Sequence, residues 1–299
     1  AYRVIALTDG SQLLMYRPDV PDGRPPSMQA FLVSASGHAQ DHNFRLEQFI
    51  REEILPNTFG QIRGAAMSDD HQWIALTGGW ASVRDQRGHN GVFVLQRDNM
   101  ANWRLKSWFD LPGMGIGDIA FGPDDTLVVL TQQAKPEGGA GPILTLFSYA
   151  GQNLGSFISS PGHANIFDNS TFQSRLVRMA NGDYAVYDSS ASQVRFLNLK
   201  SASRHYSISQ TKSVPARFAG GGSMVVFDPR PDGEVVFARS IVENRKGKTV
   251  ITAVNGSGKV VDEWQAPSSW RYGYSDHGKL HGFSHTPEGK IQISTVSVQ

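Results

Sequence analysis

The apolar residues of this chain fall in short runs of five to eight, rich in Val, Ile, Phe, Tyr and Thr and separated by polar turns. That is the signature of β-strands bounded by turns. The clearest stretch is residues 113–158. It predicts four strands: Ile116–Phe121, Thr126–Thr131, Ile143–Tyr149 and Asn153–Ile158. An acidic turn at Asp124-Asp125 joins the first two, and a turn at Gly151 joins the last two.

The same unit recurs. Turns of one kind, an Asp, Asn or Glu followed by Gly or Asp, stand at Asp9-Gly10, Asp69-Asp70, Asp124-Asp125, Asn181-Gly182, Asp232-Gly233 and Glu288-Gly289, spaced by 60, 55, 57, 51 and 56 residues. Such pairs tolerate the positive φ that tight hairpins need. Around them the pattern predicts unit one as Arg3–Thr8, Gln12–Tyr16, Gln29–Ser34 and Asn43–Phe49. Unit two is Arg63–Met67, Gln72–Thr77, Gly91–Gln96 and Trp103–Phe109. Unit four is Arg175–Met179, Tyr184–Tyr187, Val194–Leu199 and His205–Ser209. Unit five is Ser223–Phe227, Glu234–Ser240, Thr249–Val254 and Lys259–Trp264. The last unit supplies only Leu280–His285 and Lys290–Val298. Ser159–Ser170 and Pro267–Lys279 read as connecting segments, and Glu47–Leu55 as a helical turn or two.

Four-stranded units at this period predict an all-β chain forming a β-propeller. The expectation is one domain of six blades, about 1–55, 60–111, 113–160, 171–211, 214–266 and 278–299. The last blade is incomplete or closed by the N-terminal strands. The alternative is five blades, with Arg3–Thr8 and Gln12–Tyr16 completing the last. An incomplete blade leaves an edge at Lys290–Val298 that can accept a strand from a protein partner.

The segments GDIAFGPDDTLVVLT, RLVRMANGDYAVYD and LHGFSHTPEGKIQIS each read as an inner strand, a turn and a second strand. In this they resemble the NHL and SMP-30/gluconolactonase-like six-bladed propellers. The resemblance implies the propeller fold. It also implies, as an alternative function, a lactonase or esterase using a channel-bound divalent metal, usually calcium, held by Glu, Asn and Asp. The sequence departs from that set: Asp118 is the one acid at the corresponding strand position, with Asn165, Asp168 and Asn169 in a nearby loop.

The first strand of a propeller blade lines the channel, so equivalent positions form a ring. Six residues before each turn this ring reads Arg3, Arg63, Asp118, Arg175, Val226 and Gly282, with His281 beside the last. Arginine offers a planar fork suited to carboxylate or phosphate, so the expected ligand is a small anion. Trp270 and Tyr272, followed by Tyr274, are the most available aromatic surfaces. Trp103, Trp108 and Trp264 lie on outer strands and are expected to pack within blades. His277, His281 and His285 are spaced by four. On a strand that separates neighbours by about 13 Å, too far for one ion.

Composition narrows the field. With 28 Lys and Arg against 27 Asp and Glu, and no long basic run, nucleic-acid binding is not expected. No apolar run approaches the roughly 20 residues of a membrane-spanning helix. The absence of cysteine excludes disulfides and thiolate chemistry. There is no GxSxG elbow and no P-loop, and Gly220-Gly221-Gly222 precedes a strand. The reading is a non-catalytic binding propeller or complex subunit without a cofactor. Ala1 followed at once by a strand-like run fits a secreted or periplasmic mature form, and a shortened chain fits it equally.

Overall fold

The computed structural model describes residues 2–6, 12–16, 29–33, 39–40, 58–82, 88–98, 103–133, 142–159, 175–179, 181–188, 192–217, 223–230, 232–243, 246–266, 272–276, 279–285 and 291–297. The segments Asn43–Phe49 and Glu47–Leu55, and the turns at Asp9-Gly10 and Glu288-Gly289, lie outside them. Two compact units divide the chain: residues 1–171 with 201–206, and residues 172–200 with 207–299.

The first unit carries three antiparallel sheets. The first is β1 (Tyr2–Ala6), β2 (Gln12–Tyr16), β3 (Gln29–Val33) and β4 (Ala39–Gln40). The second is β5 (Thr58–Met67), β6 (Trp73–Ser82), β7 (Gly88–Arg97) and β8 (Trp103–Asp110). The third is β9 (Met114–Phe121), β10 (Thr126–Gln133), β11 (Pro142–Ser148) and β12 (Asn153–Ser159). The second unit carries β13 (Arg175–Arg178), β14 (Tyr184–Asp188), β15 (Gln193–Ala202) and β16 (His205–Pro215), though the β15–β16 tip groups with the first unit. Its next sheet is β17 (Ser223–Pro229), β18 (Val235–Glu243), β19 (Lys246–Val254) and β20 (Val260–Gln265). The last sheet is β21 (Tyr272–Asp276), β22 (Lys279–His285) and β23 (Ile291–Ser297). In every sheet the strands lie in chain order.

Within each unit the first strands of successive sheets are neighbours: β5 runs beside β1 and β9, and β17 beside β13 and β21. Sheets thus stack face to face with their first strands innermost, as the blades of a propeller do. In the first unit Ala75, Val92 and Val94 pack against Ile116, Ile119, Phe121, Leu127, Val129 and Phe147. Trp73 and Tyr149 meet at 5.0 Å, and Phe109 and Phe147 at 5.3 Å, across that interface. In the second unit Ala185, Tyr187, Val194 and Phe196 pack against Val235, Phe237 and Val254. The Tyr187 and Phe237 rings are 5.9 Å apart, edge to face, the arrangement the ring quadrupoles favour.

The described turns show why their residues recur. The Asp70, Asn181 and Asp232 side-chain oxygens accept from the backbone N–H two residues on, at 3.0, 3.1 and 2.9 Å. His71, Gly182 and Gly233 then take positive φ. At the third sheet both Asp124 and Asp125 are left-handed. The short polar side chain substitutes for a backbone acceptor and the next residue absorbs the reversal.

The last sheet corrects the expected one. It has three strands, because YGYSD, inside the segment expected to be a connection, forms β21 and pairs Tyr272 with Phe283 through Asp276 with Lys279. The Glu288-Gly289 turn therefore lies between second and third strands, not first and second. The aliphatic pattern misleads here because β21 is built from tyrosine, glycine and serine. The N-terminal strands pair among themselves in their own sheet, so the count among the described strands is six sheets.

Gly64 gives this packing a test. A Cβ there would stand 2.8 Å from the Asp118 Cα and 2.9 Å from the Gly117 carbonyl oxygen, both backbone atoms of the adjacent sheet. Gly64→Ala is expected to lower stability by about 1–3 kcal/mol with an unchanged circular dichroism spectrum, measured by urea unfolding. A variant as stable as the parent would mean that β5 and β9 do not approach so closely.

Candidate functional site

The extra residues in the sheets locate the site. The middle pair of each sheet is in continuous register: β6–β7, β10–β11, β14–β15 and β18–β19. The innermost pair slips at Arg63 in β5, at Gly117 and Asp118 in β9, and at Val225 in β17. These are β-bulges, six or seven residues before the turn. A bulge re-aims the side chains on either side of it. Of the ring positions read from the sequence, Arg63, Asp118 and Val226 fall on or beside these bulges, while β1–β2 and β13–β14 pair without a slip at Arg3 and Arg175.

Arg3 stands on β1 opposite Met15, and Arg63 occupies the β5 bulge. Asp118 is buried in the β9 bulge. Since β1, β5 and β9 are adjacent, these three positions share one unit. Arg175 opens β13 opposite Tyr187 and is partly exposed. Val226 follows the β17 bulge and pairs with Ala238. His281 and Gly282 are displaced from the proposed ring. They sit on β22, a second strand, opposite Tyr274 and Gly273, and the inner strand is β21, which starts at Tyr272. Trp270, His277, Asn165, Asp168 and Asn169 lie outside the described residues. Trp264 packs on Val236, Ala238 and Ile251. Trp108 stacks on Phe93 at 6.5 Å while remaining exposed.

The sequence reading overlooked the second strands. The sixth residue after the positive-φ residue of each described turn is Thr77, Thr131, Asp188 and Arg239, and all four are buried. Each ends an apolar run, as in LVVLT, YAVYD and VVFAR, so a polar residue closing the run at a fixed distance from the turn was the available signal. Thr77 donates to the Gly117 carbonyl at 2.6 Å, tying the second sheet to the third. Thr131 and Thr145 share a 2.7 Å hydrogen bond.

In the second unit these positions carry charge. Arg195 Nη2 donates to Asp188 Oδ2 at 3.0 Å, with the Asp188 side chain 2 % and Arg195 14 % exposed. Gln193, in the amide orientation that satisfies both ends, accepts from Arg195 Nε and Nη2 at 3.0 and 2.9 Å and donates to Ser213 Oγ at 2.7 Å. Arg239 Nη2 donates to Thr252 Oγ1 and Glu263 Oε2, each at 3.1 Å, and Thr252 donates to the same carboxylate oxygen at 3.0 Å. Tyr187 lies within the field of both groups. Its phenol is held above the usual tyrosine range, first by burial and then by the Asp188 carboxylate, with Arg239 opposing. At the corresponding end of the second sheet His89 Nδ1 meets Asp110 Oδ2 at 3.2 Å. Asn90 beside it donates to the Met114 carbonyl at 2.8 Å. Among the described residues no three His, Asp or Glu side chains group as metal ligands do, and no helix is long and apolar enough to cross a membrane.

The architecture on these strands is that of an all-β propeller. Among solved structures, the chain is similar to the periplasmic gluconolactonase PpgL of Pseudomonas aeruginosa, with a TM-score of 0.53 and 12% identity over 99% of this chain and 85% of that one. It is similar also to a Hadza microbial sialidase, with a TM-score of 0.56 and 10% identity over 99% of this chain and 65% of that one. The fold-level resemblance to the SMP-30 and NHL-like propellers is therefore present in three dimensions. No protein-family model and no curated protein sequence matches the chain.

Two outcomes test the charged network. Arg195→Met removes the guanidinium that faces the buried Asp188 carboxylate and is expected to cost about 3–5 kcal/mol in urea unfolding. A loss below 1 kcal/mol would mean that the pair is solvated. For Tyr187, the folded pKa lies above the unfolded value of 10.0, so above pH 10 the folded state binds more protons and stability falls as pH rises. Tyr187→Phe is expected to flatten that alkaline loss between pH 9 and 11, followed by urea midpoints. An unchanged slope would place the loss elsewhere.

Proposed function

We propose that this chain is a non-catalytic β-propeller binding protein whose ligand is a small anion taken up at the end of the blades where the inner strands begin. The observation that carries the reading is Arg175. It is a partly exposed arginine at the first residue of an inner strand. On the same sheet, a part-buried Asp188–Arg195–Gln193–Ser213 chain of hydrogen bonds stiffens the strand ends. A preorganised cation loses little entropy when it takes a carboxylate or phosphate in a two-pronged contact. Tyr272 and Trp270, of the same unit, are the aromatic candidates, and Arg3 and Arg63 are cation candidates of the first unit by themselves. Asp118 restrains the positive field. His281, on a second strand, keeps a place among the candidates only as a neighbour of Tyr274.

No cofactor enters this reading. The compartment that fits it is the periplasm or the exterior, where the similar gluconolactonase resides by its name. That neighbour's name also supplies a competing reading, a lactonase; with the metal dependence that the sequence resemblance implies, it becomes an outcome of the test.

Titration calorimetry with citrate and with inorganic phosphate is expected to show saturable binding that weakens as salt is raised. Arg175→Ala is expected to weaken it at least tenfold without changing the melting temperature. Unaltered affinity in that variant would sink the proposal. Calcium-dependent hydrolysis of gluconolactone by the same preparation would replace it with the lactonase.

A further inference from the structure

We infer that Asn255 is a site of covalent self-modification: the Gly256 backbone nitrogen attacks its side-chain amide, ammonia is released, and the residue becomes aspartate or isoaspartate. The inference concerns the hairpin between β19 and β20 and does not depend on the anion site.

An Asn followed by Gly is open to this reaction because glycine has no side chain to screen its nitrogen and turns freely. The chain has three such pairs: Asn90-Gly91, Asn181-Gly182 and Asn255-Gly256. Their surroundings differ. Gly91 is fixed in the ladder, opposite Gly78 and Asp110, and Asn90 Nδ2 donates to the Met114 carbonyl at 2.8 Å. Gly182 N–H donates to the Met179 carbonyl and Asn181 Nδ2 to Asp183 Oδ2, both at 2.9 Å. At these two pairs the nucleophile and the leaving group are both held. At the third, neither Gly256 N–H nor Asn255 Nδ2 has a hydrogen-bond partner among the described residues. Asn255 and Gly256 are also partly exposed, so water reaches them.

The oxygen of the same amide is held from three sides. Asn255 Oδ1 accepts from Ser257 N–H at 3.1 Å, from Ser257 Oγ at 2.7 Å and from Lys259 N–H at 3.0 Å. When nitrogen adds to Cγ, negative charge gathers on Oδ1. Donors already aimed at that oxygen strengthen as the charge develops, as in an oxyanion hole. Asn181 Oδ1 accepts only from Asp183 N–H, at 3.1 Å, among the described residues. A cation favours the nucleophile as well. Lys212, on β16, donates Nζ to the Asp232 carbonyl at 2.7 Å, and a Cβ on Gly256 would stand 2.8 Å from that Nζ. A positive charge so close stabilises the peptide nitrogen as it gives up its proton.

The step needs water and no other reagent. Gly256 N gives its proton to water and bonds to Asn255 Cγ. The Cγ–Nδ2 bond breaks, and Nδ2 takes up a proton and leaves as ammonia. Water then adds to either carbonyl carbon of the cyclic imide, and the ring C–N bond breaks there. Opening at Cγ gives aspartate, whose carboxylate keeps the donors. Opening at the backbone carbonyl gives isoaspartate, which runs the main chain through the side chain and adds a methylene group. The bonds that close the hairpin, Gly258 N–H to Asn255 O at 2.8 Å and Asn255 N–H to Lys259 O at 3.0 Å, then no longer fit. The strand released is β20, outermost in its sheet.

The test is incubation of the whole folded chain at neutral pH, followed by trypsin and mass spectrometry. A synthetic peptide of residues 249–259 serves as the unstructured reference. Asn255 is expected to convert at least tenfold faster than Asn181 and Asn90 in the same sample, and faster than in the free peptide. Ser257→Ala and Lys212→Met are each expected to slow it at least threefold, the first judged against a peptide carrying the same change. Added salt should slow the parent and leave Lys212→Met unaffected, which a purely structural role for Lys212 would not produce. A protease that cleaves before aspartate but not before isoaspartate separates the products, and β20 amides should exchange faster in the isoaspartate fraction. Conversion of Asn255 no faster than in the free peptide, conversion of Asn181 first, or conversion only after unfolding in urea would each overturn the inference. So would an unchanged rate in both variants.

Discussion

A buried antiparallel strand has two rows of backbone donors and acceptors and no water to satisfy them, so both rows need a neighbouring strand. In this chain that requirement falls most heavily on the second and third strands of each four-stranded sheet, which are flanked on both sides. They pair without a slip over nine residues in β6–β7 and again in β18–β19. They also carry the residues with least exposure, including Leu76, Val94, Val129 and Phe237. An extra residue there would turn every side chain beyond it to the other face and break the packing against the next sheet. At the first and fourth strands one row has no such partner within the sheet, and that is where the bulges are found. Irregularity is confined to where the hydrogen-bond requirement is looser, and the candidate binding positions are in the same place.

The polar residues that end the second strands follow the same logic. Thr77, Thr131, Asp188 and Arg239 sit where the apolar layer gives out but water does not yet reach. Each is matched to partners: a carbonyl, a second threonine, an arginine, or a threonine with a glutamate. A neutral hydrogen bond of this kind contributes about 1 kcal/mol, while its loss inside costs more, since the surviving partner stays dry. For the charged pairs the asymmetry is larger. The second unit, which uses an acid and an arginine where the first uses threonines, therefore depends more on complete pairing than on burial at these positions.

Much of the architecture was legible in the chain. The turn pairs gave the period because their side chains and their positive φ do a specific backbone task, visible at Asp70, Asn181 and Asp232. Strand positions in the second, third and fifth units followed from Val, Ile and Phe runs. The last sheet was misread because β21 has no aliphatic residue, and hydrophobic alternation cannot register a strand made of Tyr, Gly and Ser. Arg63 and Asp118 were legible as positions, since they lay at a fixed distance from the turns, but the bulges at those positions were not. A one-residue slip in pairing depends on the partner strand and leaves no composition signal. The networks of Asp188 and Arg239 join residues up to 24 apart, and no local pattern links them.

Because every sheet is built from consecutive strands joined in order, nearly all its ladder contacts close short loops. Chain closure of that kind is entropically cheap, and topologies dominated by near neighbours form quickly. Each sheet can gather as its last strand leaves the ribosome, while the contacts between sheets wait for the next fifty residues of synthesis.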